Sequence, residues 1–158
     1  MLDLTTILFG PYTTQILGDF GADIIKIEAP KGDPIRYLGP ARNDGMGALF
    51  LGANRNKRSI VLDLKRTQGR GALWRLMDSA DMFVHNVRPQ KIHALGFGPD
   101  DVLQRCPGII YGGLHGYRED GPYGGRPAYD DVIQSISGIA GLFQERDGEP
   151  KLVPSVIA

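Results

Sequence analysis

Residues 2–28 read LDLTTILFGPYTTQILGDFGADIIKIE, and their pattern is strand, helix, strand. Leu2 to Ile7 has the β-branched content of a short strand, and Phe9-Gly10-Pro11 is a turn with proline placed to open a helix. Tyr12, Ile16, Leu17 and Phe20 follow helical spacing, and Gly21 stands where a glycine ends a helix. Asp23 to Glu28 then resumes strand character around a mostly apolar centre.

Outward from this unit the alternation continues. Pro30 to Asn56 is rich in glycine and proline and reads as a long surface excursion whose only sustained apolar patch is Ala48 to Leu51. Ser59 to Leu64 predicts a strand, and Thr67 is placed as the N-cap of a helix carrying Ala72, Leu73, Leu76 and Met77 on one face. Met82 to Val84 predicts the next strand, Lys91–Leu95 and Asp100–Arg105 two short helices, and Gly108 to Leu114 another buried strand. Tyr117 to Arg126 is a polar glycine-rich loop, and Val132, Ile133, Ile136, Ile139 and Ala140 mark one face of a single helix. Gly148-Glu149-Pro150 turns the chain into the apolar run Leu152 to Ala158. Strands alternating with helices predict an α/β fold: a parallel sheet with helices on both faces and ligand sites at the carboxyl ends of its strands. The first strand starts at Met1 and the final apolar run has no cap, turn or polar tail, so both ends read as cut.

Composition narrows the function. The 158 residues are 42% hydrophobic and 23% charged, within the range of one compact domain. Eighteen basic residues balance eighteen acidic ones, so no global field recommends a nucleic acid or an anionic membrane as partner. The lone Cys106 cannot form an internal disulfide and carries no nucleophile signature, which with the absence of a signal-peptide pattern or a long apolar run gives a cytoplasmic expectation. His85, His93 and His115 lack metal-ligand spacing, so no metal is expected.

Four segments could carry chemistry. Asn54-Arg55-Asn56-Lys57-Arg58-Ser59 fits either a phosphate grip or a solvated basic turn, and Lys31 and Arg36 have Asp33 as their one evident counter-charge. Asn86-Val87-Arg88-Pro89 directly follows a strand, where α/β proteins bind ligands. Gly112-Gly113-Leu114-His115-Gly116-Tyr117 leaves a strand through glycines, which suits either a close ligand or a tight turn. Asp130 and Asp131 open a helix, where capping is the simpler account of their charge.

The ordered strings Leu2-Asp3-Leu4-Thr5, Gly10-Pro11, Leu17 through Glu28, Gly32-Asp33, Asn56-Lys57-Arg58-Ser59-Ile60, Leu62-Asp63-Leu64-Lys65, Asn86-Val87-Arg88-Pro89, Leu95-Gly96 and Gly121-Pro122 through Asp130 resemble the class III CoA-transferases. That family includes formyl-CoA and carnitine CoA-transferases and the α-methylacyl-CoA racemases. The resemblance implies a Rossmann-like large domain, here incomplete, in a homodimer of interlocked chains. Residues 1–158 would be the amino-terminal part of the CoA-binding domain, with the small domain and the carboxyl-terminal return absent.

It further implies coenzyme A or acyl-CoA as substrate rather than a tightly bound cofactor, and a carboxylic acid as the second reactant. The matching coenzyme-contact positions are Leu8, Phe9, Leu62, Lys65, Asn86, Val87, Arg88, His115 and Gly116, with Lys65 and Arg88 the phosphate partners by charge. Two departures stand out: His93-Ala94 occupies the stretch where an arginine often follows Asn-x-Arg-Pro, and His115 replaces a lysine or other polar residue. The family's aspartate nucleophile follows a string like Pro154-Ser155-Val156-Ile157-Ala158, so it is expected immediately after Ala158 and no catalytic residue is assigned within the chain. The racemase branch uses a histidine where this chain has Tyr129, and a phenol that ordinarily titrates near ~10 is a poor base for an α-proton. The pattern leans to transferase, with a racemase-like enzyme or a non-catalytic CoA-binding fragment as the alternatives.

Overall fold

The computed structural model describes residues 1–154, in two compact units, Met1–Leu114 and the described residues from His115 onward. The first unit runs β1 (Leu2–Leu4), α1 (Phe9–Asp19), β2 (Ile24–Glu28), a 3₁₀ turn (Pro34–Tyr37), α2 (Ala48–Ala53), β3 (Lys57–Val61), α3 (Thr67–Met77), β4 (Met82–His85), α4 (Pro89–Ala94), α5 (Pro99–Arg105) and β5 (Ile110–Gly113). Its five strands are all parallel in the order β3-β2-β1-β4-β5. The chain therefore starts in the middle of the sheet, winds to one edge, and returns to build the other half. The direction reverses between β1 and β4, and at such a point neighbouring loops part to leave a crevice at the carboxyl ends of the strands.

The two faces of the sheet differ in chemistry because alternate residues of a strand point opposite ways. One face is apolar: Leu2, Leu4, Ile27 and Phe83 pack with Leu73 and Met77 of α3, Ile92 of α4, Phe97, and Val102 of α5. The other carries Asp3, Lys26 and Glu28, all buried. Against it lies α1, whose Thr14 hydroxyl donates to Asp3 Oδ2 at 2.6 Å and whose Gly18 backbone stands beside Ile24. Gly10 of α1 has to be glycine, since a Cβ there would lie 2.5 Å from Thr5 Cβ. Helices thus cover both faces.

Several boundaries differ from the sequence reading. β1 ends at Leu4 rather than Ile7, because Asp3 Oδ1 accepts from both the amide and the hydroxyl of Thr5 and turns the chain. The Pro30–Asn56 excursion is anchored through buried Asp33, Ile35, Phe50 and Ala53, with α2 on its apolar patch. β3 begins at Lys57, two residues before the expected start, in register with β2. Arg66, not Thr67, is the N-cap of α3, because the turn led by Asp63 delivers the chain one residue early. β5 is an edge strand rather than a buried one, and Ile110 is 60% exposed.

The second unit holds α6 (Asp130–Ile136) and α7 (Ile139–Asp147) where one helix was expected. Gly138 between them takes φ +84°, left-handed backbone that glycine accepts without strain and that ends the α6 ladder. Of the apolar run Leu152–Ala158, positions 155–158 lie outside the described residues.

Candidate functional site

Parallel strands send every β-to-α loop to one edge, so the loops after β1, β3 and β4 share the carboxyl edge of the sheet. Seven of the nine nominated positions lie there: Leu8 and Phe9 after β1, Leu62 and Lys65 after β3, and Asn86, Val87 and Arg88 after β4. From β3 to β4 is three strand spacings, roughly 14 Å. These positions flank the switch point on both sides. His115 and Gly116 belong to the second unit.

The β1–α1 loop is fastened from several directions. Thr5, fully buried, is held by Asp3, and its carbonyl accepts from Lys26 Nζ at 2.9 Å. Asp33 Oδ1 accepts from the Ile7 amide at 3.1 Å, and Asp33 Oδ2 pairs with Lys26 Nζ at 3.0 Å. Ile7 itself sits at φ +70°, a left-handed conformation that a β-branched residue holds only when its surroundings fix it. Across the switch point the Asn86 amide clamps the two loops together: its Oδ1 accepts from Thr6 N at 3.0 Å and its Nδ2 donates to Thr6 O at 2.8 Å. The Asn86 side chain thus serves the loop geometry, and Leu8 follows as the N-cap residue of α1.

Behind this loop lies a buried charge network that the sequence reading missed. Lys57 Nζ donates to Asp3 Oδ2 (3.0 Å), the Pro11 carbonyl (2.7 Å) and Asn54 Oδ1 (2.9 Å). Burial pushes the Lys57 ammonium below its ordinary value, against the opposing pull of Asp3. Glu28 accepts from Arg36 through both carboxylate oxygens at 2.6 Å, from Ser59 at 2.6 Å and from the Asp33 amide at 3.0 Å. Burial opposes the Glu28 charge, yet these donors together hold its carboxyl at about 2. Arg36 therefore pairs with Glu28, and Asp33 with Lys26, which corrects the expected pairing of Arg36 with Asp33. A signal was present: in Ile24-Ile25-Lys26-Ile27-Glu28, Lys26 and Glu28 alternate onto one face of a central strand.

The basic run 54–59 splits: Arg55 and Arg58 lie on the solvated surface, while Lys57 is buried. Arg55 pairs with Asp19 at 2.5 Å, Arg58 with Asp23 at 2.7 Å, and Lys57 with Asp3, so each charge is committed inside the unit. Lys65 and Arg88 are different. Both are exposed on edge loops, and neither has an ion pair among the described residues. The Lys65 amide donates to Asp63 Oδ1, and Arg70 donates to the Leu64 and Lys65 carbonyls at 3.1 Å, so the Lys65 backbone is fixed while its ammonium remains available. Arg88 is the N-cap of α4, with its carbonyl engaged by Lys91 and Ile92. Two available cations on fixed backbone at the edge of an α/β sheet can receive an extended, multiply charged anion.

In the second unit, His115 Nε2 faces Glu119 Oε1 at 3.4 Å. Gly116 packs so closely on Ala128 that a Cβ would lie 2.2 Å from the alanine methyl, which gives the glycine a packing role. Tyr129 is the N-cap residue of α6 and 70% exposed, while Asp131 Oδ1 accepts from the Val132 amide and Asp130 Oδ2 from Gln134 Nε2. Among the described residues no group of His, Cys, Asp and Glu is arranged to hold a metal, and no helix is long and apolar enough to cross a membrane.

The fold is an open parallel α/β sheet whose carboxyl edge carries two exposed cations, Lys65 and Arg88, on either side of the point where the strand order reverses. The chain belongs to CoA-transferase family III, whose model matches residues 1–158. It is 38% identical over 151 residues to the human succinyl-CoA:glutarate CoA-transferase, a match covering 95% of this chain and 34% of that protein. It is 39% identical over 154 residues to the acetyl-CoA:oxalate CoA-transferase of Acetobacter aceti, covering 97% and 39%. The crystal structure of a CAIB/BAIF family protein from Brucella suis superposes with a TM-score of 0.91 at 36% identity, over 98% of this chain and 42% of that one. The chain thus spans between a third and under half of the length of these relatives.

Proposed function

We propose that this chain forms the coenzyme-A-facing part of a class III CoA-transferase, which moves CoA between an acyl-CoA thioester and a carboxylic acid. The observation that carries the reading is the pairing pattern: Arg55, Lys57 and Arg58 are committed to internal carboxylates, while Lys65 and Arg88, on edge loops with fixed backbone, have no ion pair among the described residues, as is also true of Lys31 and Lys91. Leu8, Phe9, Leu62 and Val87 supply the apolar surroundings of the same edge, and Asn86 fixes it; the family resemblance also nominates His115 and Gly116, which belong to the second unit. Residues 1–158 are accordingly the amino-terminal part of the CoA-binding domain. The relatives' activities, succinyl-CoA:glutarate and acetyl-CoA:oxalate transfer, support a small carboxylic acid as acceptor.

In a polypeptide of the relatives' length, the aspartate following position 158 attacks the thioester carbonyl and expels the CoA thiolate, leaving an acyl-aspartyl anhydride. The thiolate then attacks the aspartyl carbonyl, forming an aspartyl-CoA thioester and releasing the first acid. The second acid's carboxylate attacks this thioester and expels the thiolate to give a new anhydride, and the thiolate attacks its acyl carbonyl to yield the product acyl-CoA and the free aspartate. Interlocked homodimerisation belongs to this proposal, as does a cytoplasmic setting. The placement of Tyr129 at an exposed helix cap gives no histidine for α-proton abstraction, which favours transfer over racemisation.

Calorimetric titration of CoA into the chain tests the binding part. Lys65→Ala and Arg88→Ala are each expected to weaken binding about tenfold, the scale of a lost charge-assisted contact. For the reaction, a labelled carboxylic acid incubated with unlabelled acyl-CoA and the longer polypeptide should enter the thioester pool. Exchange of the α-proton with no acceptor acid present would overturn transfer in favour of racemisation.

A further inference from the structure

We infer that Asp33 and Lys26 are positioning residues for the β1–α1 loop of the crevice, an inference that rests on the coenzyme A reading above. Each side chain is at most 1% exposed and each reaches the loop, Asp33 while its Oδ1 also accepts from the Ile35 amide of its own segment. Lys26 leaves β2 to donate to the Thr5 carbonyl, and Asp33 leaves the excursion to accept from the Ile7 amide. Their mutual ion pair ties the two contacts into one unit. The pair therefore holds one backbone carbonyl and one backbone amide, two residues apart, in the segment that delivers Leu8 and Phe9 to the edge.

A buried ion pair often contributes little net stability over apolar residues of the same volume. This pair is aimed at the loop instead. Ile7 is at φ +70° without being glycine, so the loop does not reach this shape by its own preference. On the opposite side Asn86 holds Thr6, so the loop is gripped between two supports on either side of the switch point. Removing the Asp33 acceptor frees Ile7 to return to an ordinary conformation, which redirects Leu8 and the first turn of α1. Asp33 and Lys26 touch no substrate in this account. They set the shape of the surface that does.

The test separates positioning from bulk stability. Lys26→Met/Asp33→Ala removes both charges, so no orphaned ion is left in the interior, and also removes the acceptor for the Ile7 and Ile35 amides. Lys26→Met/Asp33→Asn has the same charge and retains an acceptor. CoA affinity by calorimetry is expected to fall at least tenfold in the alanine pair and to recover several-fold in the asparagine pair, at melting temperatures close to one another. Backbone amide exchange in the unsubstituted chain should show Ile7 protected. Equal CoA affinity in the unsubstituted chain and the alanine pair would overturn the inference, as would an Ile7 amide exchanging at the rate of an open chain, which needs no variant to fold. Absence of CoA binding to the unsubstituted chain would instead overturn the coenzyme reading, and the inference with it.

Discussion

Asp3 is the residue on which most of the interior depends. It accepts four hydrogen bonds from three residues, Thr5, Thr14 and Lys57, with no exposure to water. Asp3→Ala leaves the Lys57 ammonium buried without its carboxylate, and urea denaturation should show a loss of about 3–5 kcal/mol. Glu28 gives the matching pH dependence. Its carboxyl is held at about 2 in the fold against an ordinary 4.5, so the unfolded chain binds the proton more readily. The stability it contributes is complete above about 4.5 and is lost as pH falls from there through about 2. Glu28→Gln should therefore flatten this part of the acid limb of a stability profile, and an unchanged limb would contradict the assignment. None of this network was read from the sequence. Hydrophobic periodicity identifies which face of a strand is apolar, but Lys26 and Glu28 show that the opposite face can be buried and charged.

Elements were legible where a local signal specifies them. Pro11 within the first turn of α1 stands where a missing amide costs least, and Gly21 follows α1 at φ +96°, whereas Pro89 and Pro99 open α4 and α5 two residues and one residue before the expected starts. They were misread where the deciding partner is distant. Whether Ile110 is central or at an edge depends on the sheet order, which periodicity does not encode. Whether Arg55 and Arg58 bind a ligand or Asp19 and Asp23 depends on contacts more than thirty residues away in sequence. The Gly10-Pro11 string was read as a turn and helix start, and its packing reason emerged only with Thr5 beneath it. Gly10→Ala should cost about 1–3 kcal/mol, the range for overpacking a close contact, measurable as a lowered melting temperature. A neutral result would mean that α1 can shift away from β1 without loss.

At the scale of the whole molecule, the sequence gives the α/β class and the carboxyl edge but leaves the surface unspecified. Tyr12, Ile16 and Phe20 recur at helical spacing along α1 and are exposed, Phe20 at 87%. An apolar stripe on one helix favours association in water. Sedimentation of the 158-residue chain should be concentration-dependent, and Tyr12→Ser/Phe20→Ser should reduce that dependence; a single species at all concentrations would contradict it.

The central claim concerns where the ligand lies, and amide chemical-shift mapping during a CoA titration tests it most directly. The account predicts saturable shifts at Leu8, Phe9, Leu62, Lys65, Asn86, Val87 and Arg88, reduced when Lys65 and Arg88 are both replaced by alanine. Saturable shifts confined to the amino ends of the strands, or none at millimolar CoA, would contradict it.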